Sequence, residues 1–440
     1  MRNKCVLVFF LFFNLQFTVF AQQNMDSIRV DNLDMLWKLA IENNSSQKIY
    51  KLKNQQAKVD YNTSRAYLLP QITGIFSGQD NTKLATTPVP GEFLGQPNTT
   101  QYLQFGKQFV YNTAITISKS LFDWQAKAQS NLAKENIVLN TVQQLANEQN
   151  LKTQITQSYF TLMVAKKAIE ISENDLKISD SILSISKQKF KQGLADAILV
   201  NQACVNSNNI LLSISQSKEL YKNALVSIKI LAGMAEHTHI YFKPIDNIEN
   251  LYKADISSFD QDKNLLVYSH NVEIQKWQYK IIKAATLPKF GINSYWGYQQ
   301  FRDNLGIDFN SNSWKDYRYV AINMSVPIFT GFANKNKLKS NNIQTEIVKQ
   351  QYNAALEQSK INDKSLQETI DNYFFMTNTS KKSFELYSNN LQLNLQKFNE
   401  GIISVDIYYK AFDDYLKSEN TYLSNLSTLL YNQAIVISRK

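Results

Sequence analysis

Apolar residues recur along the chain at two intervals, and the intervals divide it. Over 119–192 there is neither glycine nor proline, and Gly193 closes the stretch. Within it Ile155, Leu162, Ile169, Leu176, Leu183 and Phe190 recur every seventh residue, the spacing of a coiled-coil seam. A second row, Val164, Ile171, Ile178 and Ile185, runs two positions later. Two positions turn a helix through about 200°, so the rows lie on nearly opposite sides. Ser158, Ala165, Ser172, Ser179 and Ser186 stand between them. An ordinary amphipathic helix carries one apolar stripe. This pattern instead predicts a rod about 110 Å long, with a helical neighbour on each flank and water on the two sides between. It is one stave in a wall of helices, too long for a compact globule.

The stretch 331–400 repeats the pattern. Aligned on Gly193 and Gly401, Leu176, Leu183 and Phe190 match Phe384, Leu391 and Phe398, while Ile178 and Ile185 match Leu386 and Leu393. A period of roughly 200 residues predicts two similar halves. The first, 22–232, reads as a helix over 25–69 stopping at Leu69-Pro70, a β-hairpin over 71–117, the long helix 119–192 and a return helix 194–232. A connector with Pro244 covers 233–262. The second half, 263–440, reads as a helix stopping at Leu287-Pro288, a hairpin over 289–326, the long helix 331–400 and a return helix 402–440. All twelve glycines and seven prolines fall in strands, loops, turns or the connector of this layout.

In the hairpins the period changes to two. Strands are expected over 71–79, 105–117, 289–301 and 317–326, with loops at 80–104 and 302–316. Phe109, Tyr111, Ile115 and Ile117 alternate with Asn112, Ala114 and Thr116; Val320, Ile322, Met324 and Val326 alternate with Tyr319, Ala321, Asn323 and Ser325. Strands of about ten residues with one apolar and one polar face suit a membrane barrel, whose closure leaves no backbone edge to lipid. Tyr298, Phe301, Trp314 and Tyr317 are the expected interfacial aromatic girdle. Four strands cannot close a barrel when about eight is the practical minimum, so the barrel must be shared between chains.

The N-terminus carries Arg2 and Lys4 before an apolar run and Val19-Phe20-Ala21, the pattern of a signal peptide over 1–21. Cys5 lies inside it. Cys204 is then the one cysteine left, so no intrachain disulfide is expected, and it reads as a buried small hydrophobe. The net charge of +10 falls to +8 without Arg2 and Lys4. Basic residues spread along helices and mixed with acids on an exported chain read as solvated faces, not as a nucleic-acid surface.

No motif for chemistry is present: no phosphate-cradling glycine loop, no G-x-S-x-G, no H-E-x-x-H and no paired C-x-x-C. His237 and His239 form an H-x-H with only His270 besides, the seven methionines are scattered, and Asp413-Asp414 reads as a solvated face. No enzyme, cofactor or metal is expected.

Three elements, each present twice and in order, resemble the TolC-like outer-membrane efflux proteins over nearly the whole mature chain. The first is Asn43-Asn44 leading to Ala66-Tyr67-Leu68-Leu69-Pro70, with Ala284-Ala285-Thr286-Leu287-Pro288 later. The second is the strand-to-helix corner Val326-Pro327-Ile328-Phe329-Thr330-Gly331, marked by Pro327, Phe329 and Gly331, with the weaker Lys119-Ser120-Leu121-Phe122-Asp123-Trp124. The third is the helix turn at Phe190 to Leu194 and at Phe398 to Asp406. The resemblance implies a mixed α/β membrane protein: a homotrimer sharing a twelve-stranded barrel in outer-membrane lipid, continued by a long α-helical periplasmic tube. It implies a passive exit duct working with a periplasmic adaptor and an inner-membrane transporter. The turns would form the periplasmic tip where the adaptor docks: Gly193, Leu194, Gly401, Ile402, Ser404 and Asp406. The first turn departs from the pattern, with Asp196 and Ile198 where the second has Ser404 and Asp406. Glu385 is the candidate for an acidic entrance ring, among the more prominent Asn389, Asn390 and Asn394. The expected cargo is small molecules. The outer channel of a type I protein secretion system and a soluble periplasmic coiled-coil scaffold remain alternatives.

Overall fold

Side-chain caps, as much as glycine and proline, set where the elements begin and end. The computed structural model describes residues 27–243 and 262–439; the predicted signal segment and most of the 233–262 connector, Pro244 included, lie outside them. β1 (Ser27–Val30) leads into α1 (Leu33–Asn43), where Asn32 accepts a hydrogen bond from the Met35 N–H. Asn44 ends that helix with a ψ of 131° and starts α2 (Ser45–Ser64) by accepting from the Ser46 N–H. Its amide also donates to the Leu231 carbonyl at 2.8 Å. The helix expected over 25–69 is therefore two helices behind a short strand. Asn44 serves both broken ends, its backbone N–H donating to the Ala40 carbonyl and its side chain capping α2, and apolar spacing does not register that.

β2 (Gln71–Asp80) follows Pro70, then β3 (Thr86–Pro90) and β4 (Thr100–Gln104), a small hairpin within the stretch expected to be loop. β5 (Phe109–Phe122) returns along β2 and runs on through 119–122, where helix was expected. Lys119 and Ser120 still pair with Ile292 and Gly291. Asp123 marks the change: its carboxylate accepts from the Ala126 N–H at 3.0 Å and opens α3 (Trp124–Lys191). α3 has 68 residues, a length of about 100 Å. α4 (Ala197–Leu231) returns beside it, and β6 (His239–Phe242) pairs parallel with β1. The remaining elements are α5 (Asn264–Ala284), β7 (Lys289–Arg302), β8 (Trp314–Ser325), α6 (Ala333–Asn399) and α7 (Val405–Ile437).

The four long strands make one antiparallel sheet in the order β2-β5-β7-β8, so hairpins far apart in sequence join at β5 and β7. Gly297 sits on that join. A Cβ there would lie 2.5 Å from the Ala114 Cβ and the Thr113 carbonyl oxygen, so the two backbones approach as only glycine permits. The helices continue the order of the strands. Near the sheet α3 packs between α2 and α5, with α6 beyond α5; farther away it packs against α4 and α7, with α6 beyond α7. The wall is one helix thick.

The principal core fills the middle of that wall. Leu36 and Ala40 of α1, Ile155 and Leu162 of α3, Ile228 of α4 and Leu426 and Leu430 of α7 are buried together. Lower down, the buried line of α3 is Ser172, Asp175, Ser179, Ile182 and Ser186. These small positions were expected to face water; instead they meet the neighbouring helices, while Leu176, Ile178, Leu183 and Ile185 are only partly buried beside them. Small residues let two flanking helices approach closely, so the seam lies between the apolar rows. Cys204, expected to be buried, is exposed on α4. Among the described residues, no helix is long and apolar enough to cross a membrane.

Candidate functional site

The sheet has two unlike faces. Cross-strand partners share a face, so the pairing sorts the residues without further assumption. Ile72 and Phe76 of β2, Ile115 and Ile117 of β5, Ile292 and Trp296 of β7, and Val320, Ile322 and Met324 of β8 share one side. Most of them are exposed; Ile322 is 74% accessible. The opposite side carries Thr73, Ser77, Asn112, Thr116, Ser118, Asn293, Gln299, Asn323 and Ser325. It also carries three clustered tyrosines: Tyr295 stacks on Tyr319 at 5.4 Å, and Tyr317 lies 5.5 Å from Tyr295 and 5.7 Å from Tyr319. The expected aromatic girdle is split by this pairing. Tyr298 and Trp314 are on the apolar side, whereas Phe301 and Tyr317 are on the polar one. Spacing alone had placed them together.

Both borders of the wall are unfinished. Every residue of β2 is exposed, as are ten of the twelve in β8. These outer strands run antiparallel to each other, since three antiparallel steps separate them. The helical borders match. Ile49, Leu52 and Val59 on α2, Leu211, Leu212 and Leu220 on α4, and Ile343, Ile361, Phe375, Leu386 and Leu393 on α6 are exposed apolar side chains.

The two helix turns at the far end have the same geometry. Gly193 has φ +74° and Gly401 has φ +75°. The Gly193 and Leu194 N–H groups donate to the Phe190 and Lys189 carbonyls at 3.0 and 2.9 Å; those of Gly401 and Ile402 donate to Phe398 and Lys397 at 3.0 and 2.8 Å. Such paired bonds close a helix on a left-handed residue. Leu194, Ile198 and Ile402 point into solvent. The turns then differ. Asp196 caps α4 by accepting from the Leu199 N–H at 2.9 Å, whereas the Ser404 side chain makes no capping bond to α7, and Asp406 is exposed beside it. Phe190 is half exposed and Phe398 is buried against Tyr408. Lys189 reaches across to the Phe398 ring at 4.2 Å, tying the first turn to the second. Glu385 is exposed on α6, fourteen residues before the helix end and so about 20 Å from the turn.

At the sheet end, 326–332 forms the corner between β8 and α6. Gly331 and Phe332 both have positive φ, +60° and +62°. Phe329 packs edge-on against Phe332 at 5.5 Å, and Ile328 is 95% exposed. Pro327 lies in the same exposed segment.

A feature not anticipated from sequence lies on the α3–α7 seam. Asp175 and Glu419 are both buried and hydrogen-bond to each other, and the Tyr415 hydroxyl donates to Asp175 Oδ1 at 2.9 Å. Burial, followed by the Asp175 charge, pushes Glu419 up to about 9; burial also raises Asp175 and Tyr415. Glu419, shut away from water beside Asp175, therefore holds its proton at neutral pH. Elsewhere His270 Nδ1 meets Glu135 Oε1 at 2.7 Å between α5 and α3, and His237 and His239 are exposed. Among the described residues no three His, Cys, Asp or Glu side chains group to hold a metal ion.

Residues 36–234 match the family described as outer membrane efflux protein. Among curated protein sequences, none matches the chain. Solved structures match it nearly end to end. A membrane protein from Pseudomonas aeruginosa aligns with TM-score 0.76 at 14% identity, over 92% of this chain and 93% of that one. CusC, described for its transmembrane channel formation, aligns with TM-score 0.73 at 18% identity, over 96% and 95%. The CmeC outer membrane channel of Campylobacter jejuni aligns with TM-score 0.70 at 15% identity, over 92% and 85%. At such identities these likenesses carry the fold. Together the comparisons show a chain with the fold of TolC-like channels, whose residues 36–234 match the outer membrane efflux protein family.

Proposed function

We propose that three copies of this outer membrane protein close side by side into a hollow duct that passes small molecules outward. The observation that carries the reading is the pair of unfinished borders. β8 of one copy meets β2 of the next in the antiparallel sense, and the apolar flanks of α6 and of α2 and α4 meet in the same step. Three four-stranded sheets give a twelve-stranded barrel with no free edge, its apolar face in lipid and its polar face around water. The contact is head-to-tail, and such contacts build rings when the rotation closes. On this reading 22–232 and 263–440 are two structural repeats, and each contributes one hairpin and one pair of helices.

The duct does no chemistry. It supplies a wet lumen and a constriction, and an inner-membrane transporter supplies the energy through a periplasmic adaptor. The adaptor docks on the turns at Gly193-Leu194 and Gly401 to Asp406, where exposed Leu194 and Ile402 offer apolar knobs beside free polar groups. The second turn is the better grip, because Ser404 and Asp406 are not committed to capping. The closed state pinches at these helix ends, with Glu385 farther up the α6 wall. Planar-bilayer recordings of the purified protein test the gate. Substitutions that loosen the contact between Lys189 and Phe398, such as Phe398→Ala, are expected to raise open-channel conductance. Unchanged conductance would put the constriction elsewhere.

A further inference from the structure

We propose that the corner where strands become helices docks the anionic headgroups of phospholipids in the leaflet facing the periplasm. The proposal rests on the membrane-spanning reading above. Four segments cross this level, and each brings exposed basic side chains. Arg65 follows the last residue of α2 and Lys127 opens α3. Lys283 ends α5, while Lys335, Lys337 and Lys339 fill the first two turns of α6. Lys119 of β5 shares the apolar face with Ile115 and Ile117, opposite Ile292, so it ends the band that meets lipid. The acids at this level are Asp60 and Asp123, and Asp123 is already used: it caps α3 and lies 3.4 Å from Lys289. The sequence reading of bases mixed evenly with acids does not hold here. At the loop end of the sheet, by contrast, Lys107 pairs with Asp303 at 2.6 Å and Arg318 with Asp316 at 2.9 Å.

Charge by itself would suit water. The second observation is what stands beside it. Phe122, Trp124, Ile328, Phe329 and Phe332 are exposed apolar side chains at the same corner. Lys127 lies over the Trp124 ring at 5.7 Å, and Lys280 over Trp277 at 3.7 Å. Aromatic rings with lysines just beyond an apolar band are the pattern of a membrane interface, where the stems lie along hydrocarbon and the ammonium groups reach headgroups. A cluster of lysines at that depth attracts anionic lipid and leaves neutral lipid unbound.

The test uses the full chain reconstituted with phosphatidylethanolamine alone or with added phosphatidylglycerol. Lipid retained on the protein is read by native mass spectrometry, and conductance is recorded on the same preparation. Wild-type protein should retain phosphatidylglycerol selectively. The double variant Lys335→Gln, Lys339→Gln, whose lysines share one side of α6, should lose that affinity by about fivefold per lysine, and the matching arginine variants should keep it. Equal retention of both lipids, or full retention by the glutamine variant, overturns the proposal. So does a glutamine variant that changes anion selectivity while its lipid retention stays constant, because its lysines would then face the lumen. Absence of conductance in every preparation would instead remove the duct reading on which the proposal stands.

Discussion

Gly193 and Gly401 take the left-handed conformation with open space where a Cβ would point. Replacing either by alanine therefore meets no clash, and the penalty is conformational: about 1 kcal/mol each. Amide exchange at Leu194 and Ile402 should quicken in the variants while exchange in the middle of α3 and α6 stays the same. Glu419 gives a prediction of pH dependence with a definite sign. Its carboxyl titrates near 4.5 in the unfolded chain and at about 9 in the folded one. Below the lower value both states hold the proton, and the group takes nothing from stability. Between the two values the unfolded chain ionises and the folded one does not, so stability falls as pH rises and levels off above the upper value. Glu419→Gln keeps the hydrogen-bonding shape and removes the titration. Its thermal midpoint should exceed that of wild type at mildly alkaline pH and should vary less across the neutral range. Equal slopes in the two proteins would mean that the carboxyl is ionised where it lies.

Between elements, the join of β5 to β7 makes one sheet of two hairpins. Gly297→Ala would press a methyl group into the Ala114 Cβ and the Thr113 carbonyl. The expected result is a loss of more than about 2 kcal/mol and a failure to assemble in membranes, read by extraction and gel mobility. Much of this scale is legible in the sequence, since Pro70, Pro288, Gly193 and Gly401 stop elements by rules that act locally. What is not legible depends on partners distant in the chain. A heptad shows which residues share a line along α3, but not which line meets another helix. The seam line of Ser172, Ser179 and Ser186 was consequently assigned to water, and Asp175 on the same line went unremarked. Asn44 stood out only as part of a motif; its tie to Leu231, 187 residues away, did not show in the sequence. Cys204 lies on the exposed side of α4, which spacing did not separate from the side packed against α3.

The whole chain is an unfinished object, with two free strand edges and two greasy helical flanks on the same borders. A soluble rod would not place Ile72, Phe76, Val320 and Ile322 on one open side of a sheet. The helix turns were identifiable in sequence because glycine and its neighbours are contiguous there. The basic corner was not, since its lysines come from segments more than 200 residues apart that only the fold collects. On the proposed reading all of these features depend on closure around a shared axis. The mass of the particle released from membranes by mild detergent tests that most directly. Three chains, held together without denaturant, are predicted. A stable single chain with β2 and β8 open to solvent would contradict the account.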